Sequence, residues 1–316
     1  MWDYPQRSFR VVNSLEIRGA GMTSELPVRL RAGNLLLELS PSIGGSISAF
    51  ERFEGEQPIP ILRRCNRPLQ NVLAAASFPL VPFVNRIRGG EFRFRGRDVR
   101  LAPNMADDPS PLHGQGWLNR WRMDHETERS AKLSFHHEAG EWPWDYEARQ
   151  EISLDARGLS IGLSCHNRSG EPMPCGLGLH PYFPCGPQTR IDTQVSVAWT
   201  IDDRVLPVDK VPAEGRYDLR DRLVCGQGLD HGFGGWNGAA MLSDPGWTHE
   251  IRLSSPTAKF FQLFSPEEGE IFVAEPVTHA NAALNAPEEQ WPELGMRVLD
   301  PGEEMRLDAR FEVIPT

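Results

Sequence analysis

The chain has 316 residues, with 33 basic and 43 acidic side chains spread without long runs of one sign, for a formal net charge of −10. That balance excludes the basic face a nucleic-acid binder needs, and no stretch approaches the ~18 consecutive apolar residues of a membrane span. Only three basic residues are lysines (Lys132, Lys210 and Lys259), which leaves Schiff-base chemistry few candidates.

Residues 1–27 show no usable period and no signal-peptide core, and are expected to form a poorly defined N-terminal extension. From Val28 onward, alternating runs such as VRLRAGNLLLELSPSIGG, EFRFRGRDVRLAP and AKLSFHHEAG lie between Gly, Pro, Asn and Asp clusters, the pattern of half-buried strands joined by turns. Arg95 to Asp98 and Asp155 to Gly158 read as hairpin turns. Twenty-seven prolines and 29 glycines leave little room for long helices. The class is all-β, and with neither linker nor repeat the chain reads as one domain over 28–316.

The segment FPLVPFVNRIRGG carries Asn85 and Arg86; PLHGQGW carries His113. In EWPWDYEARQ, Trp142, Trp144 and Tyr146 alternate; core packing is the stronger reading and a sugar-stacking platform the weaker. Gly158-Leu159-Ser160-Ile161-Gly162 matches a nucleophile elbow, but alternation runs straight through it, so Ser160 reads as an ordinary strand residue. Neither Gly176-Leu177-Gly178 nor Gly226-Gln227-Gly228 opens a dinucleotide-binding unit.

GLGLHPYFP places His180 among small and aromatic neighbours, and LDHGFGGW does the same for Asp230 and Trp236. Glu275 follows the apolar run Ile271 to Ala274 and precedes Pro276, so it ends a buried strand with no evident reason to carry a charge. None of the nine histidines has a paired metal-ligand spacing, and the adjacent His136 and His137 point to opposite faces of a strand. No metal site is expected. The five cysteines are odd in number, widely spaced and without a C-x-x-C pair, the pattern of reduced thiols in a cytoplasmic protein.

In order, SPSIGGSISAFE, NRIRGGEF, LHGQGW, GLGLHPYFP, LDHGFGGW and FVAEP resemble the aldose 1-epimerase (galactose mutarotase) family over nearly all of residues 28–310. The resemblance implies a β-supersandwich of two large, mainly antiparallel sheets and interconversion of α and β anomers without a cofactor. It further implies Glu275 as general base, His180 as general acid, Arg86, His113 and Asp230 as substrate-binding residues, and Asn85 as support for Arg86; Trp236 is expected to bind substrate beside them. The partner is then a small monosaccharide, with neither nucleic acid nor membrane, bound by a monomer or homodimer. Pro184 stands where galactose-specific members tend to carry Asn, and Pro276-Val277 follows Glu275 in place of a Thr/Pro-Gln pair, which leaves the favoured sugar open.

Three rivals deserve weight. A phosphorylated or otherwise anionic sugar would call on Arg88, Arg64 or Arg120. A sugar-binding module would need no matched acid and base. A hydrolase would need a second carboxylate at the scissile bond, for which only Asp230 offers itself.

Overall fold

Alternation of apolar and polar residues becomes strand after strand, each pairing antiparallel to its neighbour. The computed structural model describes residues 27–65 and 68–316, so the expected extension, Pro27 apart, lies outside the described residues. Among them the only helices are six single-turn 3₁₀ segments. Both expected hairpins form: Glu91–Phe94 with Arg97–Arg100, and Tyr146–Asp155 with Gly158–Asn167. The first turns on Arg95 and Gly96, both at positive φ, as a two-residue hairpin loop demands. In the second, Gly158 lies so close to the neighbouring strand that a Cβ would sit 2.0 Å from the Phe311 carbonyl oxygen.

Two large sheets face each other. One has nine strands, running from Arg222–Leu223 at one edge through the long Glu304–Pro315 and Gly158–Asn167 to Arg122–Glu126 at the other. The other has eight, with Leu229–Gly234, Phe260–Ser265 and Ile271–Val277 side by side near its centre. The N-terminal strands, Val28–Ala32 to Gln57–Pro60, add a four-stranded sheet. Phe183 joins the two large layers, stacked on Phe272 at 5.2 Å and tilted against Phe311 at 6.3 Å. Burying each such ring contributes about 1.5–3 kcal/mol.

Trp142, Trp144 and Tyr146 are all buried in the core; the two indoles meet edge to face at 5.2 Å between centroids. Ser160 is an ordinary strand residue, its hydroxyl accepting from Arg310 at 2.9 Å.

One expectation fails. Cys185 and Cys225 form a disulfide with 5.7 Å between Cα atoms, leaving Cys65, Cys165 and Cys175 as thiols. Forty residues separate the pair in sequence. The fold brings them together by setting the end of the Tyr182–Pro184 strand beside the loop that leads into Leu229–Gly234, an approach that spacing along the chain does not reveal.

Candidate active site

The eight-stranded sheet has two faces, and the period of two sorts its side chains between them. Leu229, His231 and Phe233, Phe261 and Leu263, and Phe272 and Ala274 are buried on the side turned to the other sheet. Asp230 and Gly232, Gln262, and Val273, Glu275 and Val277 point the other way. Gln262 lies opposite Glu275 in register and opposite Gly232 on its other side.

Two short strands complete this face. Gly178 pairs with Val277 and Tyr182 with Val273, so His180 falls opposite Glu275. Its Nε2 lies 3.5 Å from Glu275 Oε1. Phe78 stacks on the imidazole at 4.5 Å, and Tyr182 tilts against it at 4.7 Å. The Arg63 guanidinium covers Tyr182 3.5 Å above the ring, tied by hydrogen bonds to the carbonyls of Ala75 and Leu73.

The segment 84–88 supplies further groups and is gripped from outside. The Val84 amide donates to His279 Nε2 at 3.0 Å, that of Arg86 to Asn281 Oδ1 at 3.1 Å, and that of Arg88 to Asn285 Oδ1 at 2.7 Å. These three side chains follow directly on the Glu275 strand, so the chain that carries Glu275 also fixes Arg86. The Arg86 guanidinium donates to Asp108 Oδ2 at 2.9 Å through Nε and to Asn85 Oδ1 at 3.2 Å through Nη1. His113 and Asn85, both at positive φ, bond reciprocally: the His113 amide donates to the Asn85 carbonyl, and the Asn85 amide to His113 Nδ1. That second bond makes Nδ1 an acceptor and leaves the His113 proton on Nε2.

Burial dominates the electrostatics. It lifts the Glu275 carboxyl well above the usual range, the Asp230 charge adds to the rise, and Arg86 opposes it. Asp230 is raised by burial too, against the pull of Arg86 and of the Gln262 amide, which donates to its Oδ1 at 2.7 Å. Burial, with Arg63 nearby, lowers His180 to about 3. His113 is held well below its ordinary value by burial, then by His180 and Arg86. A carboxyl pushed up and an imidazole pushed down 3.5 Å apart favour the neutral pair, carboxylic acid beside imidazole, at this face.

Of the residues singled out from sequence, Glu275, His180, Asp230, Arg86, Asn85 and His113 thus gather around one face. Trp236 does not join them. It is buried against Phe261 at 4.9 Å, on the opposite side of the sheet, and its indole N–H donates to Thr193 Oγ1 at 2.8 Å, so it fastens the two large sheets together. Gln262 and Asp108 were not anticipated. The first had a signal, a lone amide in the aromatic run FFQLF; the second, in the polar stretch ADDPSP, had none. Among the described residues no group of three His, Cys, Asp or Glu side chains is placed to hold a metal ion.

The comparisons agree with this architecture. The profile of the aldose 1-epimerase family matches residues 28–312. An uncharacterized Escherichia coli K12 protein, YphB, is 34% identical over 271 residues, 82% of this chain and 90% of its own. A crystal structure from the same organism, described as a candidate aldose 1-epimerase, superposes with a TM-score of 0.82 at 30% identity, covering 92% of this chain and 99% of that one. A galactose mutarotase-like protein of Clostridium acetobutylicum shares the fold at 17% identity, with a TM-score of 0.80 over 91% of this chain and 95% of its own. Sequence, fold and site together make this chain a member of the aldose 1-epimerase family.

Proposed function

We propose that this chain interconverts the α and β anomers of a free, uncharged aldose, with Glu275 as base and His180 as acid. The observation that carries the reading is the 3.5 Å approach of His180 Nε2 to Glu275 Oε1 on the outward face of the eight-stranded sheet, with Arg86 and Asp230 close enough to act on the Glu275 carboxyl. The chemistry needs one proton to leave the C1 hydroxyl and another to reach the ring oxygen. Glu275, as carboxylate, takes the first while His180, as imidazolium, gives the second, and the C1–O5 bond breaks to leave an open-chain aldehyde. Rotation about C1–C2 turns the other carbonyl face to O5. Reclosure returns the O5 proton to His180 and the Glu275 proton to O1, so nothing is consumed.

The pair needs only one proton between them to start this cycle. Burial favours the neutral form, carboxylic acid beside imidazole, and hydroxyls of a bound sugar offset that preference by solvating the charged form. Arg86 and the Nε2–H of His113 donate to sugar oxygens, while Asp230, steadied by Gln262, accepts from hydroxyls. Each well-placed acid or base is worth about 10²–10⁴ in rate.

An anionic substrate fits less well. Arg88 is spent on the Pro207 carbonyl at 3.0 Å and on Asp202 at 3.6 Å, and Arg64 on the Pro58 carbonyl. Arg120 borders a separate depression of about 800 Å³ beside Trp121, Met123 and Phe135. A cytoplasmic site of action belongs to the same proposal, and a thiol count on protein taken from that compartment tests whether the Cys185–Cys225 bond closes there.

Polarimetry on freshly dissolved α-glucose, α-galactose and pentoses tests the reading. Wild type should speed the approach to equilibrium, and Glu275→Gln and His180→Asn should each slow it by at least a hundred-fold while the protein stays folded. A wild type that binds sugar yet leaves the spontaneous rate unchanged would make this a binding module instead.

A further inference from the structure

An imidazole that moves protons at one ring nitrogen is ordinarily held by a hydrogen bond at the other, which fixes its tautomer and its aim. His180 lacks that bond. Among the described residues its buried Nδ1 has no partner, while Nε2 faces Glu275 at 3.5 Å. In place of the bond stands a corner of aromatic rings: Phe78 stacked on the imidazole at 4.5 Å and Tyr182 tilted against it at 4.7 Å, with 6.2 Å between those two. Phe78 is backed by Trp117, stacked on it at 5.3 Å. Tyr182 is backed by Arg63.

Arg63 grips this corner by backbone and side chain. Its amide donates to the Tyr182 carbonyl at 2.8 Å, its Nε to the Ala75 carbonyl at 2.8 Å, and its Nη2 to the Leu73 carbonyl. The guanidinium so fixed lies 3.5 Å from the Tyr182 ring centroid, well within the ~6 Å over which a cation and an aromatic face attract. The stretch it ties down runs on to Phe78: the Tyr182 amide donates to the Ala76 carbonyl at 2.9 Å, and the His180 amide to the Phe78 carbonyl at 3.1 Å. Burial pushes the Tyr182 hydroxyl up to about 12, so the ring under Arg63 is a neutral phenol. Glu275 faces the imidazole from the strand Ile271–Val277 and His113 lies 5.4 Å from it, while Arg86 and Asp230 act on Glu275. We propose that Arg63 is the positioning residue for the acid, holding Tyr182 so that His180 Nε2 keeps its aim at the ring oxygen of the sugar. The same positive charge, after burial, works against the imidazolium and so makes it a stronger acid once formed. Only a planar, permanently charged fork bridges two carbonyls and still offers a face to a ring.

This inference rests on the anomer-exchange reading, and its test separates the two. Polarimetry gives kcat and KM across pH for the best aldose substrate, in wild type and in Arg63→Met, Arg63→Lys, Tyr182→Phe and Tyr182→Leu, with folding checked by circular dichroism. Arg63→Met should lower kcat roughly ten- to a hundred-fold with little change in KM. It should also move the pH profile of kcat/KM upward by about 0.4–1.5 pH units, because protons leave the pair less readily once a nearby positive charge is gone. Arg63→Lys keeps the charge without the fork, so its profile should stay in place while kcat falls by a smaller factor. Tyr182→Phe keeps the ring face and should stay within about two-fold of wild type; Tyr182→Leu should lose kcat as Arg63→Met does, and the two losses should not multiply in the double variant. A wild-type kcat in folded Arg63→Met overturns the proposal, as does a loss confined to KM, a kcat loss there with the profile unmoved, or losses that multiply. Should Arg63→Met not fold, Tyr182→Leu and Arg63→Lys decide, and a wild-type kcat in both overturns it. A wild type inactive on every aldose removes the anomer-exchange reading, and the role of Arg63 with it.

Discussion

The strands Leu229–Gly234, Phe260–Ser265 and Ile271–Val277 carry two chemistries on two faces. Inward, Phe233, Phe261, Leu263, Phe272 and Ala274 meet the other sheet with no polar atom among their side chains. Outward, Gln262 and Glu275 are nearly as shielded from water, with Glu275 only 3% exposed, and Asp230 is half-buried, yet all three are polar and burial raises both carboxyls above their usual range. The first face supplies stability; the second draws on it to hold groups in forms that water would not favour. The two should therefore respond in opposite ways to substitution.

The largest contrast is between neighbours on one strand. Phe272→Ala removes a ring packed on Phe183 and should cost about 3–5 kcal/mol in denaturant unfolding. Three residues on, Glu275→Gln should leave stability unchanged or raise it, because a neutral amide replaces a buried carboxyl, while the anomer-exchange rate falls by about 10²–10⁴. A large loss of stability in Glu275→Gln would mean that the carboxyl is a structural partner first.

A pair of buried histidines sharpens the point on a smaller scale. His279 has both ring nitrogens engaged, Nδ1 donating to the Ala280 carbonyl at 2.8 Å and Nε2 accepting from Val84, and burial lowers it to about 4. His180 has a buried Nδ1 with no hydrogen-bond partner and turns Nε2 to Glu275. Removing His279 strands a buried amide, so His279→Ala should cost about 1–3 kcal/mol in stability. His180→Asn should cost rate instead. Calorimetry and polarimetry on both variants read the two axes independently.

Smaller again is Asn281→Ala, which frees the Arg86 amide and the bond from Asn281 Nδ2 to the Val205 carbonyl. We expect about 1 kcal/mol of lost stability, with a rise in KM because Arg86 loses its fixed backbone. In an Arg86→Ala background the same change should leave KM where it is. A further rise there would show that Asn281 acts on the sugar by another route.

How much of this was legible in the sequence follows from what each feature depends on. Alternation and turn residues are local, so the strands, both hairpins and the core role of Trp142 and Trp144 could be read directly. Glu275 and His180 stood out because a charge after Ile271-Phe272-Val273-Ala274 and an imidazole inside GLGLHPYFP conflict with their surroundings. Trp236 misled for the same reason that it looked promising. An aromatic among glycines near Asp230 fits a cleft or a core equally well, and only the sheet's facing decides. The Cys185–Cys225 bond and the Asp108–Arg86 contact depend on loops meeting across the fold, which leaves no periodic trace.

A last effect bears on where the proton of the pair resides. If the buried pair is carboxylic acid beside neutral imidazole, His180 in the folded chain takes up no proton until about pH 3, whereas the unfolded chain protonates it near its reference value of ~6.5. Across that window His180 binds its proton only in the unfolded state, so this one residue makes stability fall as pH falls, by up to about 1.4 kcal/mol per unit, while the Glu275 acid, protonated in the folded chain alone, works the other way. His180→Asn removes that term, and its unfolding free energy should decline less steeply than wild type between pH 6.5 and 5. If instead the proton sits on His180 as an imidazolium facing the Glu275 carboxylate, folded and unfolded states bind it alike, and the two pH slopes coincide. Equal slopes would place the resting pair in its charged form, ready to act before any sugar arrives; unequal slopes make binding of the sugar the event that charges it.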